Sequence, residues 1–238
     1  MSKAENLKKI KGIYVPHYSV IRHDEKIRPI EKMASIVVSG EGLESWRKKP
    51  YTEYTRSIAP DWLYAVRSSA TSEDGDDKSF AGMFLTKLNV LGTDVYEAIL
   101  EVRASASSDR VQSYDNEDQK VDVIIQEMVD AKISGVLFSK NPVDGSNEMV
   151  IEYQDGVGGV VDGNGESTME IWDKGDTVGK FDLNDLTPLW QTELRKEAIA
   201  LEGLFAKPVD IEWAVDNEEK LWILQVRPIT AIGDSNVE

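Results

Sequence analysis

The sequence predicts a mixed α/β or α+β chain with two lobes, and three observations lead there. Short apolar runs of strand length are interleaved with stretches of helical period. Two polar, glycine-containing segments, 68–82 and 155–165, are too long for tight turns and have the length of functional loops. The 238 residues suffice for one large or two small cores, and a composition of 41% hydrophobic and 8% aromatic residues is globular.

The elements follow in chain order. Residues 3–12 read as a short helix ended by Gly12, and Tyr14 to Ile21 as a strand with Pro16 near its start. Residues 24–60 are charged and mixed, fitting a helix or two with loops. Leu63 to Arg67 is a short strand, and Met83 to Leu91 returns to strand character after the first loop. Asp94 to Tyr114 is helical, with Val95, Ile99, Val102, Ala106 and Val111 at spacings of three to five. Val121 to Met128, Ser134 to Ser139 and Met149 to Tyr153 read as buried strands. Leu189 to Phe205 is a long helix, and Val209 to Val215 with Leu221 to Val226 forms a last strand pair. The tail after Thr230 is polar. This reading divides the chain into lobes at 1–120 and 121–230 and a tail at 231–238.

The formal net charge of -16 makes free nucleic acid an improbable partner, since phosphate backbones need a basic surface. A local basic pocket for a small anion remains open. No apolar run approaches the ~18 residues of a membrane span, and MSKAENLKKI lacks the apolar core of a signal peptide, so a cytoplasmic location is expected. The absence of cysteine excludes thiolate and disulfide chemistry.

The stretch LWILQVRPIT places Gln225 and Arg227 at the end of an apolar strand. Burying a guanidinium is costly unless something opposite compensates it. In the preceding strand Asp210 and Glu212 share a face, as Gln225 and Arg227 do. If Asp216 pairs with Leu221, Glu212 lies opposite Gln225 and Asp210 opposite Arg227; a slip of one residue would turn Gln225 and Arg227 away from the carboxylates. Two readings stand. One is a structural salt bridge. The other is a Mg²⁺ site, because that ion takes one or two carboxylates plus substrate phosphate oxygens, and an arginine beside it stabilises transferring charge.

Arg67 ends a strand, and Ser68, Ser69 and Thr71 follow at once, a hydroxyl-rich run able to offer donors to phosphate or simply to face solvent. Glu73, Asp74, Asp76 and Asp77 argue against a plain anion cradle. No GxxxxGK[ST] loop is present, and neither His17 nor His23 falls in a metal or triad pattern.

VRSSATSEDGDDKSFAGMF, IIQEMVDAKISGVLFSKNPVDG and DIEWAVDNEEKLWILQVRPIT, in that order, strongly resemble one family. It is the ATP-binding domain of phosphoenolpyruvate synthase and pyruvate phosphate dikinase, shared by rifampicin phosphotransferase and glucan water dikinase. The resemblance runs from Lys3 to Thr230. It implies an ATP-grasp-type, two-lobed fold that holds ATP and Mg²⁺ between the lobes. Lys3 stands where the family has a phosphate-contacting lysine, and Arg67 matches its phosphate-binding arginine. Asp210 and Glu212 match the metal carboxylates, with Gln225 completing that site and Arg227 beside the phosphates. Backbone groups of Glu127 and Val129 would read the adenine edge, Ser79 and Gly82 would belong to a lid over the phosphates, and Arg110 would reach the phosphates too. Lys3, Arg67 and Arg227 would neutralise charge developing in transfer.

There are departures. Met-Ser precedes Lys3 in place of a glycine pair, Lys140 of SKNP stands where arginine is usual, and the segment 24–60 is short for the family. Neither histidine sits in the family's Thr-x-His acceptor context. The resemblance therefore implies an ATP-dependent phosphotransferase component of dikinase type, with a phosphohistidine carrier or other acceptor supplied in trans. The alternative is a nucleotide-binding module without transfer, or an acidic interaction protein on the same scaffold.

Overall fold

The computed structural model describes residues 2–10, 14–24, 58–70, 74–75, 78–79, 85–105, 121–157, 166–174 and 188–229. Among them lie three α-helices, α1 (Lys3–Lys9), α2 (Val95–Ser105) and α3 (Leu189–Phe205). The strands are β1 (Tyr18–Ile21), β2 (Leu63–Ala70), β3 (Asp74–Gly75), β4 (Lys78–Ser79), β5 (Thr86–Leu91) and β6 (Val121–Glu127). They continue with β7 (Ala131–Phe138), β8 (Glu148–Asp155), β9 (Thr168–Asp173), β10 (Val209–Asp216) and β11 (Leu221–Pro228). The sheets are antiparallel, so of the expected classes the chain takes α+β. No described helix is long and apolar enough to cross a membrane.

The chain forms two compact units, and the first gathers His17–Glu73 and Phe80–Met128. Its four strands run in the order β1-β6-β2-β5. Val95, Ala98, Ile99 and Val102, spaced as one helical face, bury α2 against Tyr64, Val66, Val90, Val123 and Ile125 of the sheet. The β2–β5 ladder shifts register between Tyr64 and Val66, and Asn89 takes up the surplus residue in a left-handed conformation (φ 57°). Arg67 stands just beyond that bulge, paired with Thr86 and Ile124.

The second unit gathers Met1–Pro16, Asp74–Ser79 and Val129–Glu238. Its main sheet has five strands in the order β11-β10-β7-β8-β9, and β3 pairs with β4 in a separate two-stranded sheet. Val209, Ile211, Trp213, Val215, Leu221, Ile223 and Val226 are buried on one face, and α3 lies over it. That helix presents Trp190, Leu194, Ala198, Leu201 and Phe205, a stripe at spacings of four, four, three and four. Trp190 stacks on Trp213 with centroids 4.9 Å apart, and Tyr153 meets Trp190 edge-on at 5.4 Å. Gly135 is required beside this cluster, because a Cβ there would fall 2.3 Å from the Glu152 carbonyl oxygen. The Tyr153 hydroxyl donates to Glu170 at 2.6 Å, and that bond, with burial, pushes its pKa up to about 12.

Several sequence expectations shift. α1 stops at Lys9, and Gly12 lies outside the described residues. Ser2 caps α1: its hydroxyl accepts from the Glu5 amide at 3.3 Å, and Glu5 accepts from the Ser2 amide at 2.8 Å. The residue standing where a flexible glycine was expected therefore fixes the helix that begins at Lys3. β2 runs three residues past Arg67, because β6 pairs with it as far as Ala70; Ser68 and Ser69 are buried strand residues rather than loop donors. β9 was not foreseen. Of the expected helix 94–114, the described part ends at Ser105, so Ala106 and Val111 lie outside the description. The lobe limits also differ from 1–120 and 121–230. β6 pairs with β1 and β2 and so belongs to the four-stranded unit, whereas α1 packs on β11 of the other.

Candidate functional site

β10 and β11 bring four of the expected residues together. Asp210 pairs with Arg227 and Glu212 with Gln225, and each pair shares the sheet face turned away from α3. The pairing near the turn differs from the expected one, with Val215, not Asp216, opposite Leu221. A bulge at Leu224 reconciles the two ends of the ladder. Uninterrupted alternation would put Leu221, Ile223, Gln225 and Arg227 on one face and bury the guanidinium in the core. The extra residue switches parity, so that Leu221, Ile223 and Val226 go inward while Gln225 and Arg227 go to the other face.

The turn supplies the reason for its own register. The Asp216 carboxylate accepts from the Trp222 indole at 2.8 Å, from the Glu218 amide at 2.9 Å and from the Lys220 amide at 3.0 Å. Asp216 is thus spent on closing the turn. Burial pushes its carboxyl upward, but these three donors and the Lys220 charge outweigh that and hold it below the ordinary value.

Asp210 is 7% exposed and Gln225 5%, so the polar pairs are largely withdrawn from water. Arg227 compensates the buried carboxylate, with Nε and Nη2 both 2.6 Å from Asp210 Oδ2. The Arg227 side chain remains 35% exposed. The guanidinium thus neutralises Asp210 without being withdrawn from the surface. Glu212 is half-buried.

The ladders extend these pairs across the sheet in two rows. Glu212 continues through Val136 and Glu152 to Met169, and Asp210 through Phe138 and Val150 to Ile171. Sequence reasoning passed over Val136 and Phe138. The register places them beside the carboxylates on the same face, where they form an apolar flank. Their alternation with buried Leu137 in β7 was the available signal.

The remaining expected site residues belong to other stretches of the chain. Lys3 opens α1, and Ser79 ends the two-residue strand β4; both belong to the same unit as the quartet. Arg67 is half-buried on β2 of the other unit. Glu127 ends β6, and its amide donates to His17 O at 2.8 Å, so that N–H is already engaged. Val129 follows in the link between β6 and β7. Gly82 and Arg110 lie outside the described residues.

Among the described residues no three histidine or acidic side chains converge into a metal cage. The donor set on β10 and β11 nevertheless fits Mg²⁺. Two carboxylates and an amide oxygen on one face leave room for phosphate oxygens and water, the mixture that ion prefers.

Comparison with known proteins identifies the family. The chain matches the family described as pyruvate phosphate dikinase, AMP/ATP-binding domain, over residues 30–180 and 164–238. It is 32% identical to a probable phosphoenolpyruvate synthase of Pyrococcus horikoshii, covering 80% of this chain and 29% of that protein. Identity is 31% to the phosphoenolpyruvate synthase of Pyrococcus furiosus, over 79% of this chain and 28% of that protein. It is 32% to the uncharacterized phosphotransferase YvkC of Bacillus subtilis, over 71% and 24%. The chain thus spans less than a third of the length of these relatives. Among solved structures, a D-alanine-D-alanine ligase from Coxiella burnetii aligns with a TM-score of 0.45 at 10% identity, covering 95% of this chain and 47% of that one.

Proposed function

The chain belongs to the pyruvate phosphate dikinase family through its AMP/ATP-binding domain, and on that premise we propose that it binds ATP with Mg²⁺ and passes a phosphoryl group to an acceptor supplied in trans. The acceptor is a phosphohistidine carrier or an equivalent nucleophile, and the work is done in the cytoplasm. The observation that carries the reading is the Asp210, Glu212, Gln225 and Arg227 quartet, gathered on one sheet face by a bulge.

Asp210, Glu212 and Gln225 would hold Mg²⁺. When bound, the ion screens the phosphate oxygens and polarises the transferring group. Arg227 stays beside them, charge-paired with Asp210 and 35% exposed, and neutralises charge that develops as the phosphoryl group leaves. Lys3 and Arg67 carry further phosphate charge in this reading. Arg110 supplements them, and Ser79 and Gly82 belong to the lid. The Glu127 carbonyl and the Val129 backbone take the adenine edge. Phosphoenolpyruvate synthase and phosphotransferase are the names of relatives, and they support transfer chemistry in this chain by likeness.

The test is calorimetric titration of ATP with and without Mg²⁺. Saturable binding strengthened by Mg²⁺ is expected. Glu212→Gln should remove the Mg²⁺ enhancement while ATP alone still binds, because Asp210 remains to hold Arg227 in place. No binding under either condition would overturn the reading. Binding without transfer to any supplied acceptor would leave a nucleotide-binding module.

A further inference from the structure

Beyond the quartet the two rows cross β7, β8 and β9, and of the six positions they add, five are apolar: Val136 and Met169 in the Glu212 row, and Phe138, Val150 and Ile171 in the Asp210 row. The sixth is Glu152. Its register is fixed from both sides, opposite Val136 in the β7–β8 ladder and opposite Met169 in the β8–β9 ladder. Direct cross-strand partners share a face, so Glu152 lies on the same face as Glu212 with one apolar residue between them. Strands lie about 4.8 Å apart, which sets the two backbone positions about 10 Å from each other. Both belong to the same compact unit.

Glu152 is half-buried, and a carboxylate set among apolar side chains costs free energy unless donors meet it. The Ser167 hydroxyl supplies one donor, to Oε1. An ionised carboxylate has about four acceptor sites, so the group keeps capacity for a pair of neighbouring donors. Side chains stand roughly perpendicular to a sheet, so the separation is too wide for Glu152 and Glu212 to share one Mg²⁺, whose oxygens lie at about 2.1 Å. A few polar groups on an apolar wall are what fixes the orientation of a small ligand.

We propose that Glu152 accepts hydrogen bonds from the 2′- and 3′-hydroxyls of the ribose, and so makes the site selective for a ribonucleoside triphosphate over its deoxy counterpart. The inference rests on the ATP reading and deepens it. A triphosphate whose outer phosphates lie at Glu212 runs back through its α-phosphate and C5′ to the sugar, and Glu152 is the next polar group along that row. The carbon face of the sugar packs on Val136. A vicinal diol offers two donors side by side, which match the paired oxygens of a carboxylate, and acidic residues recognise ribose hydroxyls in this way in other nucleotide sites.

The test is calorimetric titration of the whole chain, in the presence of Mg²⁺, with ATP, 2′-deoxy-ATP and inorganic tripolyphosphate. The wild type should bind ATP about tenfold or more tightly than 2′-deoxy-ATP, because a site built around a hydroxyl rejects the analogue that lacks it. Glu152→Val suits a strand and should bring the two nucleotides to a common affinity while tripolyphosphate binding stays at the wild-type level. Glu152→Gln keeps one acceptor oxygen and should retain part of the preference, which covers the case in which Glu152→Val fails to fold. Equal binding of the two nucleotides by the wild type, or an undiminished preference in every folded variant, would overturn the inference and leave ATP binding standing. An equal loss for all three ligands in a folded variant would make Glu152 a metal residue and overturn it too. A wild type that binds neither nucleotide would overturn the ATP reading, and this inference with it.

Discussion

Arg227 does two things at once, and its removal should separate them. It compensates a carboxylate that is 7% exposed, so Arg227→Ala takes the paired guanidinium away from that buried charge. Breaking a fully buried pair costs about 3–5 kcal/mol, and the partial exposure of Arg227 reduces this to about 2 kcal/mol. The expected outcome is a lower urea midpoint together with loss of transfer. Adding Asp210→Asn removes the buried charge as well and should restore most of the stability but none of the transfer. Urea titration and a phosphotransfer assay on both variants read the two effects apart; full activity in either variant would end the role assigned to Arg227. The pairing of Arg227 with Asp210 was legible in the sequence, because residues two apart share a face, which groups Asp210 with Glu212 and Gln225 with Arg227. The fates of Ser68 and Ser69 were not: hydroxyls beside a polar loop look solvated, and only pairing with β6 buries them.

The β10–β11 hairpin shows what a sequence pattern can and cannot carry at the level of elements. The pairs at the site were readable, but the bulge was not, because a surplus residue leaves no mark on composition. It follows from two demands that differ by one residue: Asp216 closes the turn, and Val226 must face the core. A pH dependence follows too. The Asp216 carboxyl sits below its ordinary value in the folded chain, so its contribution to stability is present above the unfolded pKa, about 3.9, and is lost as pH falls through the folded one. Asp216→Asn should therefore be less stable than wild type at pH 7, and the difference should shrink below about pH 4. Urea midpoints of both proteins at pH 7 and pH 3 check this; a gap that widened in acid would contradict the assignment. α3 was read to its ends because its stripe is long and Pro188 stands before it. β9 was missed because TMEIWD is short and its polar and apolar residues do not alternate cleanly.

At the scale of the molecule, two cores form from interleaved stretches of chain. Val95 and Val102 are fully buried in one, and Leu194 and Trp213 in the other. A break near residue 120 was the natural guess from linear order, since pairing of β6 with strands far upstream is a long-range fact. Separate cores predispose the chain to depart from a single two-state transition. Calorimetry should resolve two transitions. Val102→Ala should lower one and Leu194→Ala the other, with large-to-small losses of about 1–5 kcal/mol. A single transition moved equally by both variants would argue for one cooperative core.

The stacking of Trp190 on Trp213 gives that experiment a colour. Two indoles 4.9 Å apart and tilted by 23° couple their electronic transitions, and both belong to the unit that carries the quartet. Trp213 lies next to Glu212 in β10, on the opposite face. The near-ultraviolet dichroism of this pair is thus a built-in chromophore for one half of the molecule, reporting from directly behind a residue assigned to the metal.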